Sequence, residues 1–136
     1  MKKKEILERW YREVWQNGNL DIIDEVFAPD NDANLALPGV TTTRADIAEF
    51  VSTALMLLSD IKPTIIQSVE QGDWLAARIR VNANRADTGE PIEVFSHITA
   101  RFKDDRIVEK QTLIDFFSLS EQLGQLPPEA LAVCLT

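Results

Sequence analysis

The spacing of apolar residues changes once along the chain, near Ile61, and this change limits the fold more than any other feature. Before it, apolar residues recur every three or four positions, which predicts amphipathic helices. After it, β-branched runs alternate with short polar turns, which is typical of antiparallel strands. Helices followed by a strand meander within 136 residues predict an α+β fold. No linker or repeat divides the chain, so we expect one domain over residues 1–136.

The helical half is predicted to contain three helices and a short strand. The helices cover residues 5–16, 20–27 and 41–60, and the strand covers residues 34–37. Gly18 is expected to end the first helix as a left-handed C-cap. A hydroxyl near Thr43 is expected to cap the third helix, which we interpret as long and mostly buried.

The second half is predicted to form four strands and a short final helix. The strands cover residues 64–70, 74–85, 92–102 and 107–117. Ser118 and Glu121 have the spacing of a capping box that opens the final helix, and Gly124 closes it. We expect the helices to pack on one face of a curved sheet and to leave a cavity between the two layers.

Composition excludes several classes of partner and site. The formal charge of −8 repels nucleic acid and anionic membranes. Lysines at positions 2–4 precede an amphipathic helix and not a signal-like apolar core, so we predict a cytoplasmic protein. The longest apolar run, residues 54–58, is far too short to span a bilayer. With one cysteine and one histidine, the chain offers no internal disulfide and no expected metal site.

The stretch "LIDFF" at 113–117 places one carboxylate among large apolar side chains. If alternation along the strand is regular, Asp115 shares a face with Ile107 and Leu113. A tight "KDDR" hairpin would then set that face against Val94, Ser96, Ile98 and Ala100. A carboxylate in such surroundings holds its proton more readily, which suits a group that takes a proton beside a carbonyl and returns it.

Other interpretations of these residues remain open. Asp115 could cap the next helix or pair with Arg78 or Arg80, although Ser118 is the better cap. His97 is the only histidine, and it falls on the opposite face from Asp115 unless a bulge shifts the register.

Residues outside the last strands offer further polar groups. Trp10, Tyr11 and Val14 are typical of a helix core, yet the Tyr11 hydroxyl could orient a substrate carbonyl. Asn34, in the short strand, could donate a hydrogen bond to a substrate oxygen.

Three stretches together resemble one known family. They are "ERWYREVWQNGNLDIIDEVFAPD", "EQGDWLAARI" and "ITARFKDDRIVEKQTLIDFFSLSEQLGQLP", and they extend over nearly the whole chain. The chain resembles the SnoaL-like polyketide cyclases of the nuclear transport factor two-like superfamily, which also contains the ketosteroid isomerases. It departs from the family pattern at Gln111, where a tryptophan is common, at Ile98, where a histidine is common, and at the glycine-free "KDDR" turn.

The resemblance implies a fold and a chemistry. The implied fold is a cone-shaped barrel, in which a curved antiparallel sheet wraps around helices and an internal apolar pocket, and the protein is usually a homodimer. Asp115 matches the aspartate that the cyclases use as acid and base. No metal or organic cofactor is implied.

We therefore interpret the chain as a cyclase or isomerase that acts on a small, apolar, carbonyl-bearing molecule. Asp115 would be the acid and base, and His97 would be a possible second one. The expected substrate-binding residues are Tyr11, Val14, Asn34, Ile98, Gln111 and Leu113. The alternatives are a non-catalytic binding module with the same fold and an assembly role through the outer face of the sheet.

Overall fold

The chain folds into helices and one sheet in the predicted order. The structure is a computed structural model that describes residues 1–28 and 46–136 in full, and residues 34–35 and 44–45 by their backbone alone. The helical elements are α1 (Lys3–Arg9), a π-helical segment (Trp10–Gln16), a 3₁₀ turn (Leu20–Ile22), α2 (Ile23–Val26), α3 (Arg44–Leu57), α4 (Phe116–Gln122) and α5 (Ala130–Leu135). The strands are β1 (Asn34–Leu35), β2 (Leu58–Gln71), β3 (Trp74–Arg85), β4 (Pro91–Lys103) and β5 (Arg106–Ile114). The predicted α+β class is confirmed.

The first helix carries the core residues of the helical layer. α1 continues directly into the π-helical segment, and the apolar spacing of the sequence buries Leu7, Trp10 and Val14 on one side. The Trp10 ring meets Phe27 edge to face, with 4.9 Å between ring centroids. Gly18 follows the end of this helix with φ +70°, so the predicted left-handed C-cap is confirmed. Glycine suits this position because a side chain there would be strained.

The sheet has the order β1-β5-β4-β3-β2. β2 to β5 form the predicted antiparallel meander, and β1 pairs with β5 in parallel. Alternation along β4 is regular, so its inner face is buried. That buried face comprises Ile92, Val94, Ser96, Ile98, Ala100 and Phe102. The helices cover this face, and the apolar core lies between the two layers.

A bulge follows the hairpin between β4 and β5. Asp104 and Asp105 both have positive φ, 52° and 62°, as a two-residue hairpin turn requires. Phe102 pairs with Ile107, as predicted, but Arg101 pairs with Glu109, so Val108 is an extra residue. Because side chains alternate, one extra residue moves every later side chain of β5 to the opposite face.

The structure corrects several predicted boundaries. β5 ends at Ile114 and not at residue 117, and α4 is capped by Asp115 and not by Ser118. Gly124 follows α4 with φ +71°, as predicted. The predicted cap near Thr43 and residues 36–37 of the predicted strand lie outside the described residues.

The prediction for the third helix was wrong in one respect. Only Ile47 and Val51 are buried among the side chains of α3 that the structure describes, and the others are half-buried or exposed, so this helix is not mostly buried. Within residues 1–28, 34–35 and 44–136, no helix combines the length and apolar character needed to cross a bilayer.

Candidate functional site

An apolar cavity of about 470 Å³ lies between the helices and the concave face of the sheet. Its walls come from the π-helical segment, α3, α4 and all four long strands. The lining residues are Trp10, Tyr11, Trp15, Asp46, Ile47, Phe50, Ala54, Leu58, Ile61, Pro63, Val81, Ala83, Ile92, Val94, Ser96, Lys110, Thr112, Ile114, Phe116 and Leu119. The size is that of a small-molecule site, and the predicted internal pocket is present.

Two hydroxyls meet inside the cavity. Tyr11 is 8% exposed, and its phenol makes a hydrogen bond with the side chain of Ser96 on β4. Burial raises the pKa of Tyr11, and this effect outweighs the hydrogen bond with Ser96, which lowers the pKa. The phenol therefore stays protonated and can donate a hydrogen bond to an oxygen in the cavity.

A lysine also lines the cavity. Lys110 of β5 is only 9% exposed, and its Nζ lies 5.0 Å from the centroid of the Trp10 ring and 5.1 Å from that of Phe27. Burial lowers the pKa of Lys110 to about 8, because the charged amine loses its hydration. The two aromatic faces stabilise the cation in part.

Thr112 is the next inward residue of β5. Its Oγ1 is buried and makes no hydrogen bond within the part of the chain that the structure describes. An unsatisfied buried hydroxyl costs free energy, so a polar group in the cavity next to Thr112 would be stabilised.

Asp115 does not lie where the sequence predicted. It is exposed, it is not among the cavity-lining residues, and its Oδ1 accepts a hydrogen bond of 3.0 Å from the Ser118 backbone. The predicted face shared by Ile107, Leu113 and Asp115 was wrong, because the bulge at Val108 reverses the alternation before Asp115 is reached. The catalytic role of Asp115 stays a prediction, but the sheltered position on which we based it is absent.

The other expected site residues fall into three groups. Tyr11 lines the cavity as expected. Val14 and Ile98 are buried in the core and are not among the cavity-lining residues. Gln111 and Leu113 are exposed on the outer face of the sheet.

His97 and Asn34 complete the set. His97 pairs with Leu113 and is exposed on the same outer face of the sheet. Because of the bulge, His97 and Asp115 are on one face, but this face is outside the cavity. Asn34 pairs through its backbone with Lys110, and its side chain lies outside the described residues.

Sequence reasoning missed Lys110 and Thr112 as site residues. Regular alternation places Ile107 and Lys110 on opposite faces, whereas both are buried in the structure. Counting back in steps of two from the apolar residues Ile114 and Phe116 gives Thr112 and Lys110, which do face inward. No residue type at Val108 marks the bulge, so the sequence pattern was consistent with both registers.

The geometry defines a class: α+β proteins in which a curved sheet and helices enclose an apolar ligand cavity. A sequence profile described as SnoaL-like polyketide cyclase matches residues 5–123. The chain therefore belongs to the SnoaL-like polyketide cyclase family, an enzyme family, and the resemblance noted from its motifs is confirmed. A comparison with curated proteins gives no match.

Solved structures share this fold. IdmH from Streptomyces antibioticus, provisionally described as a polyketide cyclase, is 24% identical with a TM-score of 0.80, over 91% of this chain and 99% of its own. AclR from Streptomyces galilaeus, provisionally described as a hydroxylase, is 22% identical with a TM-score of 0.79, over 91% of this chain and 96% of its own. A protein with a ketosteroid isomerase-like fold from Catenulispora acidiphila is 22% identical with a TM-score of 0.75, over 93% of this chain and 96% of its own. At such identities the likeness establishes the fold alone, and the predicted cone is confirmed.

Proposed function

We propose that the protein catalyses a ring closure or isomerisation of a small, mostly apolar molecule that carries carbonyl groups. The observation that supports this most is the cavity of about 470 Å³, whose wall is apolar except for a few polar groups. Such a site takes up apolar molecules by removing their surface from water. The polar groups then fix the orientation of the bound molecule.

The cavity supplies two catalytic effects. An enclosed apolar wall holds the two reacting carbons of one molecule near each other and excludes water from the reactive enolate. The Tyr11 hydroxyl, which Ser96 orients, is a donor for the carbonyl oxygen on which negative charge develops. Removal of the α proton and closure of the carbon–carbon bond then occur within the same enclosure.

We infer that the group that transfers the proton lies inside the cavity and is not Asp115, because of where Asp115 lies in the fold. The family resemblance assigns proton transfer to Asp115, but an exposed carboxylate that caps α4 has neither the shelter nor the reach this step requires. A variant at Asp115 therefore separates the two assignments.

A pair of variants on one strand tests whether the cavity is the site. Ala83 of β3 lines the cavity, and Ala76 of the same strand is exposed on the outer face. We expect Ala83→Phe to fill the cavity and Ala76→Phe to leave it open. The measurement is turnover of an aryl-substituted diketone whose intramolecular aldol reaction closes a ring, with naphthylmethanol binding followed by fluorescence in parallel.

The expected result is that Ala83→Phe abolishes both turnover and binding, and that Ala76→Phe keeps both. Equal turnover in the two variants would show that the reaction does not take place in the cavity. The circular dichroism spectrum of each variant checks that the fold is retained.

A ligand-binding module without turnover is the second candidate. It is favoured by one observation, the position of Asp115 outside the cavity. Naphthylmethanol binding that Ala83→Phe abolishes, together with no turnover of any diketone offered, would support this candidate.

We also propose a homodimer formed through the outer face of the sheet. Cross-strand neighbours on this face are exposed, and they include the apolar Val69 and Leu113, which are 64% and 59% exposed. His97 lies beside Leu113 on the same face. Exposed apolar side chains on the outer face of a sheet are typical of subunit contacts.

Analytical ultracentrifugation tests the dimer. We expect the wild-type chain to sediment as a dimer and Leu113→Lys to sediment as a monomer, because a charge would be buried at the contact. Lys103→Glu, a change of an exposed residue at the tip of β4, is the control that should leave the dimer intact. A monomeric wild-type protein at high concentration would contradict the proposal.

A further inference from the structure

Lys110 is a buried amine whose role neither the fold nor the family resemblance explains. We propose that Lys110 is a covalent catalytic residue, whose amine condenses with a ketone or aldehyde group of the substrate to form an iminium inside the cavity. This inference rests on the proposed function, because it requires a carbonyl-bearing molecule in the same cavity.

The surroundings of Lys110 argue against a structural role. Buried lysines in protein cores are normally paired with a carboxylate, since an unpaired buried charge is costly. Lys3, Lys4 and Lys62 each form an ion pair with a carboxylate. Within the described residues, Lys110 has no ion pair, and the rings of Trp10 and Phe27 lie next to its charged group.

The cavity holds few other charged groups that could affect this amine. Among the described lining residues, Asp46 of α3 is the one carboxylate, and its side chain is exposed. Tyr11 is the other titratable group that lines the cavity, and it stays neutral. The amine of Lys110 therefore faces an apolar space of ligand size.

Burial also supplies the neutral amine that the reaction requires. Only the unprotonated amine attacks a carbonyl, and burial lowers the pKa of Lys110 to about 8. Roughly a tenth of the amine is then neutral at pH 7, which is on the order of a hundred times more than for a surface lysine. The rings of Trp10 and Phe27, which stabilise the ammonium, would equally stabilise the iminium cation.

The condensation is balanced without an external reagent. The nitrogen lone pair attacks the carbonyl carbon, and the C=O π electrons move to oxygen, which takes one proton from the nitrogen to give the carbinolamine. One further proton from solvent lets the hydroxyl leave as water and gives C=N⁺. The iminium acidifies the neighbouring C–H bond, and loss of that proton gives an enamine. The enamine carbon then bonds to a second carbonyl carbon of the same molecule, and the nitrogen lone pair re-forms C=N⁺. The oxygen of that second carbonyl takes up the proton that the C–H bond lost.

Hydrolysis of the product iminium consumes the water that its formation released and restores the amine. Thr112, the next inward residue of β5, lies roughly 7 Å along the strand from Lys110. Its unpartnered Oγ1 is suited to hold the carbinolamine oxygen or the departing water. The overall reaction is an isomerisation, in agreement with the proposed function.

Reductive trapping tests the inference on the wild-type protein. The protein is incubated with naphthaldehyde and cyanoborohydride at pH 7, and the modified residue is located by peptide mass spectrometry. We expect one reduced naphthylmethyl group on Lys110 before any surface lysine reacts, and we expect excess naphthylmethanol to prevent the reaction. Modification spread over surface lysines, with Lys110 unmodified, would overturn the inference.

Two variants and a binding measurement complete the experiment. Lys110→Met, which keeps the length of the side chain without an amine, should lose the adduct, and Lys103→Met on the exposed hairpin should keep it. Naphthylmethanol that binds in the cavity without any aldehyde adduct at Lys110 would refute the covalent step and leave the proposed function intact. Failure of naphthylmethanol to bind at all would overturn both.

Discussion

The two faces of strand β5 differ in almost every property although their residues alternate along one chain segment. The inner face presents Lys110, Thr112 and Ile114 to the cavity, whereas the outer face exposes Gln111 and Leu113. The bulge at Val108 decides which set faces inward. A single extra residue thus determines which side chains can take part in chemistry, because side chains alternate with a period of two.

The largest effect is expected from truncating an apolar side chain on the inner face. Ile107 is completely buried, so Ile107→Ala should lower the free energy of unfolding by about 2–5 kcal/mol. Leu113→Ala, on the outer face, is the matched control and should cost about 0.5 kcal/mol or less in the monomer. Urea unfolding measures both, and equal losses would mean that the two faces do not differ as described.

Lys110→Met should change both stability and its dependence on pH. The pKa of Lys110 falls from 10.5 to about 8 on folding, so between these values the unfolded chain binds more protons than the folded one. Stability therefore rises with pH across that interval, and the cost of the buried charge is present in full below about pH 8. Replacing the amine should stabilise the protein at pH 7 by about 1–3 kcal/mol, the lower value allowing for the two cation–π contacts.

The measurement is urea unfolding of wild type and Lys110→Met from pH 7 to pH 10. The difference between the two should shrink as the pH rises, while Lys103→Met should follow the wild type throughout. A difference that stayed constant with pH would show that the Lys110 amine does not titrate in this range.

Asp115 variants should have a smaller effect, confined to the helix cap. Asp115→Ala removes the acceptor for the Ser118 N–H and should cost about 1 kcal/mol, whereas Asp115→Asn still caps α4 and should cost a few tenths. We expect Asp115→Asn to keep its turnover of the diketone. A folded Asp115→Asn protein without turnover would return the acid/base role to Asp115.

His97→Ala should have the smallest effect. His97 is exposed on the outer face, so its removal should change the free energy of unfolding of the monomer by about 0.5 kcal/mol or less and leave turnover unchanged. Turnover alone distinguishes a residue of the inner face from one of the outer face. A large loss of turnover would place the reaction outside the cavity.

Much of the fold could be predicted from residue patterns. The cap at Gly18 needs a residue that tolerates positive φ, and the paired aspartates at positions 104–105 suit a two-residue hairpin. The inward set of β4 followed from simple alternation. These features depend on residues that are close together in the sequence, so the residue pattern predicts them without knowledge of the tertiary structure.

The site was predicted less well. Tyr11, predicted to bind substrate, lines the cavity, but the prediction for Asp115 depended on regular alternation along β5. The pairing of Arg101 with Glu109 breaks that alternation, and these residues form an ion pair of 3.3 Å. This pairing joins two strands, and no pattern within either strand alone reveals it.

The sequence by itself determined the order of helices and strands, the turns and the family. Tertiary structure alone decided that Lys110, not Asp115, faces the cavity. The physical reason is that register between strands is chosen by the best packing of the whole inner face. The bulge at Val108 lets Ile107 and Ile114 both face inward and leaves Gln111 on the exposed outer face.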